Sequence, residues 1–289
     1  MSTPFFDIKN LSFRYEDGTI ALKNINMKIK RGLKIALLGS NGAGKSTLFL
    51  HLNGLLQPSS GKILFNGEVL KYTKKQLLEL RKNVGIVFQN PETQLFNGTV
   101  RDDIAYGPYN LNLPGNLREQ LIENAIAQTE VEELLDKPIH FLSLGQKKRV
   151  SIAGVLAMNP QVILLDEPTA SLDNYYTRKV FRILNQIHSS ERTLILSTHN
   201  ISFAYEWADE VAVMHQGEMI YYGDIVQLFE YNSHIVEIAN LETPWMFEIG
   251  MMLKNKGLIC NLNQFRSNEK ILNVLNELTV EKTIESFHS

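Results

Sequence analysis

Between Phe5 and Lys30 apolar residues alternate with polar ones: Phe6, Ile8, Leu11, Phe13 and Tyr15, then Ile25, Met27 and Ile29. A period of two puts alternate side chains on one face of a strand. The stretch therefore predicts antiparallel strands with one buried face, split by the turn Glu16–Gly18. "KIALLG", Lys34–Gly39, is instead a short continuous apolar run, the pattern of a strand buried on both faces. "VILLDEP" (Val162–Pro168) and "TLILSTH" (Thr193–His199) repeat it. Asn66-Gly67 in "KILFNGEVL" is a two-residue hairpin signal. "EVAVMHQGEMIYYG", Glu210–Gly223, reads as a closing hairpin around Gln216-Gly217.

The period changes after Asn90. Leu117, Leu121 and Ala125, then Val131, Leu134 and Leu135, recur at helical spacing, and Pro138 ends the segment. One helical stretch over 116–137 follows, inside a mostly helical insert from about 90 to 158. Beyond Asp224 the pattern loosens, but "ETPWMFEIGMMLKNKG" (Glu242–Gly257) predicts a helix. Pro244 fits its first turn and Gly257 its stop. The tail is short for an independent core.

The chain has 289 residues, 44% of them hydrophobic, enough for one or two domains. A net charge of −2 argues against non-specific nucleic-acid binding, which needs a basic surplus. The one cysteine, Cys260, excludes an internal disulfide and a cysteine-cluster metal site; it is expected as a small buried apolar residue. "MSTPFFDIKN" has neither the basic nor the apolar region of a secretory signal, so none is expected. No apolar run approaches the roughly 20 residues that span a bilayer.

Candidate chemistry sits where strands end. "GSNGAGKST", Gly39–Thr47, fits G-x-x-x-x-G-K-[ST], after a strand and before the apolar helix "TLFLHLNGLL". Gly42 and Gly44 let the backbone fold around phosphates, Lys45 reaches the β and γ phosphates, and the Ser46 hydroxyl can coordinate Mg²⁺. In "VILLDE", Asp166 can hold Mg²⁺ through water and Glu167 can polarise an attacking water. His199 ends a strand expected beside the phosphate-loop strand, where an imidazole would face the γ-phosphate. "FLSLGQKKRV", Phe141–Val150, reads as a second helix start suited to an anion: Ser143, Gly145, then a basic run.

Together "GSNGAGKST", "LSLGQ", "VILLDEPTASLD" and "STH", in this order and spacing, resemble the ATP-binding-cassette (ABC) ATPases over about Phe5–Phe229. The resemblance implies an α/β fold: an ABC-type nucleotide-binding domain over 1–229, with a mixed core sheet, an antiparallel part and a helical subdomain at about 90–158. A small C-terminal domain over 230–289, with a possible dimerisation role, follows. It implies ATP and Mg²⁺ as cofactors. Gly39, Ser40, Asn41, Gly42, Ala43, Gly44, Lys45, Ser46 and Thr47 would hold ATP, with Tyr15 stacked on adenine. Ser46, Gln89 and Asp166 would hold Mg²⁺. Glu167, His199, Gln89 and Asp173 would serve hydrolysis, Asp173 by coupling two sites. Ser143, Gly145 and Gln146 would cap the γ-phosphate of an ATP held by a second ABC chain, identical or related, paired head to tail. Two anion sites in one chain would thus serve two nucleotides.

One position departs from the family. The usual "LSGGQ" has Leu144 at its first glycine, so Leu144 is expected in ordinary backbone with its side chain turned from phosphate. A degenerate half-site is the alternative.

"VFQNPETQLFNGTVRDDIAYGPYNLNLP", Val87–Pro114, with its second glutamine Gln94, and "GQKKRVSIAGVLAMNP" are similar to energy-coupling-factor ATPases, which power uptake of trace metals and vitamins in prokaryotes. "AYEWADEVAVM", Ala204–Met214, tilts toward the cobalt and nickel branch. Integral membrane subunits are then the partners, touched near Gln89–Asp103, and the chain would sit peripherally on the cytoplasmic face. Cobalt or nickel would be handled by those partners, because the seven histidines are scattered and no Cys/His pair has ligand spacing. Vitamin uptake is the alternative within the group. A soluble ABC ATPase acting on nucleic acid or ribosomes is the alternative outside it, disfavoured by the absence of zinc insertions, coiled-coil arms and basic patches.

Overall fold

The computed structural model describes residues 4–267 and 269–274. β1 (Phe6–Arg14) pairs antiparallel with β2 (Ile20–Ile29) and with β4 (Ser60–Phe65), which pairs with β5 (Glu68–Val69). The β4–β5 turn has Asn66 at φ 51° and Gly67 at φ 84°, the positive pair that a two-residue hairpin turn demands. The alternation of β1 skips phase between Ile8 and Leu11, where Asn10 sits at φ 52° and the register shifts. That bulge keeps Phe6, Ile8 and Leu11 all buried.

A second, six-stranded sheet is built on β3 (Lys34–Leu38), flanked by β8 (Thr193–Ser197) and β9 (Glu210–His215). β7 (Val162–Asp166) and β6 (Val84–Val87) continue beyond β8, all parallel; β10 (Glu218–Asp224) closes the other edge antiparallel. Both faces of β3 are covered. Ile35 and Leu37 join a core with β1 and β2, whereas Ala36 and Leu38 join one with the helices. This double burial explains the unbroken apolar runs.

The helices are α1 (Lys45–Leu52), α2 (Lys74–Asn83), α3 (Val100–Asn110), α4 (Gly115–Thr129) and α5 (Leu144–Leu156). They continue with α6 (Asn174–Ile187), α7 (Ile201–Trp207), α8 (Ile225–Tyr231), α9 (Ser233–Ile238) and α10 (Trp245–Asn255). The single helix expected over 116–137 is not continuous. α4 stops at Thr129, Glu130 turns left-handed at φ 53°, and Glu132–Leu134 forms a separate 3₁₀ turn. The cause is tertiary: Arg149 of α5 donates to the carbonyls of Thr129 and Glu130, taking up the free acceptors of the helix end. The buried stripe is Ile122, Ala125 and Ile126, while Leu117 is exposed.

Beyond β10 the chain folds back on α7. Tyr205, Phe229 and Phe247 cluster with ring centroids 5.6–6.2 Å apart, and Arg266 donates to the carbonyls of Tyr205 and Ala208. α8 runs across residue 229, and residues 268 and 275–289 of the expected C-terminal domain lie outside the described residues. Pro244 stands one residue before α10, as its cap, and Gly257 at φ 70° follows its end. Cys260 corrects its expectation: it is exposed, because the preceding Ile259 takes the buried position.

Candidate nucleotide site

β3 delivers the chain into the loop Gly39–Thr47, and α1 begins at Lys45. Gly44 precedes that start at φ 100°, and a Cβ there would lie 2.5 Å from the Ala21 carbonyl oxygen, so only glycine fits. The Lys45 ammonium donates to the carbonyls of Gly39 (2.6 Å) and Ser40 (3.1 Å), which holds it over the loop. Burial lowers its pKa, opposed by the nearby Glu167 and Asp166 carboxylates. Tyr15, just past β1, hydrogen-bonds through its hydroxyl to Thr47 Oγ1 at 3.0 Å and leaves part of its ring exposed.

β7 and β8 end beside this loop because β8 lies between β3 and β7. Ser197, at the end of β8, donates to Asp166 Oδ1 (2.6 Å) and accepts from the Glu167 N–H (2.9 Å). Both acids are thereby fixed and buried. Glu167 adopts φ 44°, rare for a residue with a side chain, and its carboxylate lies 3.1 Å from His199 Nδ1. A cleft of about 480 Å³ joins Tyr15, Asn41–Thr47, Gln89, Asp166 and Glu167. Gly39, Ser40 and His199 line an adjoining cleft, whose far wall is the segment Ala239–Thr243.

The start of α5 is built differently. The Ser143 hydroxyl accepts from the Gln146 N–H (3.4 Å) while the Gln146 side chain accepts from the Ser143 N–H (2.9 Å), a reciprocal cap. Leu144 is in ordinary right-handed backbone and is 39% exposed. Gly145 is buried against its own chain: a Cβ there would lie 2.5 Å from the Tyr176 ring. Asp173 caps α6 by accepting from the Tyr176 N–H at 2.8 Å. None of Ser143, Gly145, Gln146 and Asp173 lines the nucleotide cleft of the same chain.

The structure adds residues that the sequence reading missed. Lys148, within the basic run read as part of a polar helix start, is buried and donates to the carbonyls of Gln89 and Glu167, the latter at 3.3 Å. Burial pushes its pKa down to about 8 against the pull of Asp166 and Glu167. No periodicity marked it, because α5 is buried on nearly every side from Lys148 to Leu156. Ser197 is the serine of "STH", but no role was read for it. Gln94 acts within the fold: it accepts from the Phe88 N–H (3.1 Å) and donates to the Ser151 carbonyl (3.2 Å), tying the Gln89 loop to α5.

The family model described as ABC transporter matches residues 22–170. The energy-coupling factor transporter ATP-binding protein EcfA of Methanocaldococcus jannaschii is 45% identical over 266 residues, covering 86% of this chain and 95% of that one. Among solved structures, cbiO1 from Clostridium perfringens, described as part of the ABC transporter complex cbiONQ, is 42% identical with a TM-score of 0.73. That match covers 86% of this chain and 99% of the other. A dimeric ATP-binding cassette in a post-hydrolysis state, bound to ADP and Pi, has 26% identity and a TM-score of 0.69, over 76% of this chain and 98% of that one. The chain belongs to the ABC transporter family, as an ATP-binding, ATP-hydrolysing protein of the energy-coupling-factor transporter group.

Proposed function

We propose that this ATPase powers cobalt or nickel uptake through membrane partner subunits, working as a head-to-tail pair of chains on the cytoplasmic face. The observation that carries the hydrolytic part is the buried Glu167 carboxylate, fixed beside the phosphate loop and 3.1 Å from His199. Such a carboxylate can take a proton from an attacking water, while His199 holds the transferring group. Lys45 and the N–H groups at the start of α1 neutralise phosphate charge. Ser46, Gln89 and Asp166 would hold Mg²⁺. The donor set suits it: a hydroxyl, an amide and one carboxylate, all oxygen donors, converge on one cleft. When bound, the ion would neutralise charge on the β and γ oxygens.

Pairing with a second copy follows from the division of the site. One chain carries both the phosphate loop and the α5 start, yet the α5 start does not line its own nucleotide cleft. In the pair, each α5 start would complete the other chain's site, with Asp173 at the junction. Coupling to the membrane is assigned to the loop after Gln89. Lys148 spans from the Gln89 carbonyl to the Glu167 carbonyl, so nucleotide and loop share one buried cation. Outward from that loop, Phe96 and Tyr106 stack edge-on at 4.7 Å and are both exposed, beside a cleft between α3 and α4. Among the described residues no helix is long and apolar enough to cross a membrane.

The cargo assignment rests on Ala204–Met214 and its likeness to the cobalt and nickel branch. Deleting the gene and measuring uptake of radiolabelled Co²⁺ and Ni²⁺, with vitamin uptake as control, tests it. Loss of metal uptake with vitamins unaffected is expected. Loss of a vitamin alone overturns the cargo and keeps the ATPase group.

A further inference from the structure

A cleft of about 950 Å³ lies between α6, α7 and the start of α10, sharing no residue with the nucleotide cleft. Lys34, Arg178, Arg182, Arg266 and Lys270 face it, against a single acid, Glu206. Arg178 and Arg182 stand one turn apart on the outer side of α6, whose other side buries Val180, Ile183 and Leu184. Lys179 beside them is ion-paired with Glu130 at 2.8 Å, but among the described residues neither arginine has an ion pair or a side-chain hydrogen bond. Lys34 is half-buried with its ammonium 5.8 Å from the Trp207 ring centroid. Its pKa is lowered first by burial, against Asp209, and then by Arg266 and Lys270. Arg266 is anchored by the Tyr205 and Ala208 carbonyls, so its charge is fixed at the cleft rather than swinging in solvent. A concave surface with this surplus of one sign concentrates the opposite charge.

The walls add flat apolar surface. Phe203 is stacked between neighbours, on Phe181 and on Trp207, whereas Trp245 is 46% exposed at the start of α10. Cations beside the exposed Trp245 indole suit a ligand that is anionic at one end and a flat ring at the other. The volume is that of a small-molecule site. Asn200 and Ser202 line both this cleft and the adjoining one that holds Gly39, Ser40 and His199. Asn200 directly follows His199 in the chain.

We propose that this cleft is a second ligand site, for a nucleoside phosphate, separate from the nucleotide cleft and adjacent to His199 through Asn200. The phosphates meet Arg178, Arg182 and Lys270, and the base lies on Trp245. Equilibrium dialysis of the purified full chain with labelled Mg-ADP tests it. Wild type is expected to bind two ADP per chain, Lys45→Ala one, and Arg178→Glu/Arg182→Glu one. Both arginines are exposed, so the reversal leaves the core untouched; Lys270→Glu, on another element, is a second variant expected to weaken cleft binding at least tenfold. In Lys45→Ala, ADP should bind at least tenfold tighter than either pyrophosphate or adenosine, because the cleft engages both ends. One ADP per chain in wild type, lost in Lys45→Ala and kept by the arginine and Lys270 variants, overturns the second site. Two ADP per chain that survive all three cleft substitutions overturn it as well. One ADP per chain kept by Lys45→Ala and lost on arginine reversal instead overturns the phosphate-loop assignment and leaves the cleft standing.

Discussion

In the proposed mechanism Glu167 is the base, and its backbone is held where few side-chain-bearing residues sit, at φ 44°. Such a conformation persists only when neighbours over-determine it. Here Ser197 takes its N–H and Lys148 reaches its carbonyl. Glu167→Gln keeps the shape and removes the base. ATP turnover should fall by about 10²–10⁴-fold with ATP binding intact; turnover within twofold of wild type would sink the assignment. Lys148 gives a pH signature. Its folded pKa, about 8, lies below the ordinary 10.5, so between those values the unfolded chain holds a proton that the folded chain lacks. Raising pH through that window therefore stabilises the fold, by on the order of 3 kcal/mol at most. In Lys148→Met the increment disappears. Urea unfolding of both proteins from neutral to alkaline pH reads the difference, and parallel stability curves refute it. At this scale the sequence disclosed the candidate phosphate-loop residues that the structure brings to one cleft, because their spacing in the chain is the motif. It did not disclose the roles of Ser197 or Lys148, whose partners come from strands and loops far away in the chain.

At the scale of elements, the start of α5 combines a reciprocal cap with a glycine that has no room for a Cβ. Gly145→Ala drives a methyl into the Tyr176 ring and should cost about 1–3 kcal/mol of stability. Tyr176→Ala in the same chain should recover part of it. Equal melting of wild type and Gly145→Ala would mean that α5 and α6 are packed more loosely. Leu144→Gly, by contrast, should fold and turn over ATP at least as fast as wild type, since Leu144 needs no special backbone and points to solvent. If it abolishes hydrolysis, Leu144 contributes to the site. Most strands of both sheets were legible because burial on one or two faces writes itself into the apolar pattern. The break after α4 was not, because Arg149 arrives from another helix to end it. β6 was hidden for a similar reason. Four residues, Val84–Val87, are too few to show a period, and only pairing with β7 makes them a strand.

Across the whole molecule, the phosphate loop, Asp166 and Glu167 share one cleft, while Ser143, Gly145 and Asp173 lie outside it. In the proposed pair each chain holds two incomplete halves, and hydrolysis is tied to association. The two anion-suited helix starts were both visible in the sequence; that the α5 start stands apart from the phosphate-loop cleft is a property of topology. The C-terminal segment read as a small domain with a helix at Glu242–Gly257; Phe229, Phe247 and Arg266 seat its described part on α7. The most direct test mixes two damaged proteins. Lys45→Ala removes the grip on phosphate and Ser143→Arg blocks the α5 start, so each alone should be without ATP turnover. A pair with one chain of each retains one intact site, assembled from the sound phosphate loop of one chain and the sound α5 start of the other. ATP turnover that reappears on mixing, in proportion to mixed pairs, is the expected result. Full turnover by Ser143→Arg alone, or none in any mixture, would contradict a site shared between two chains.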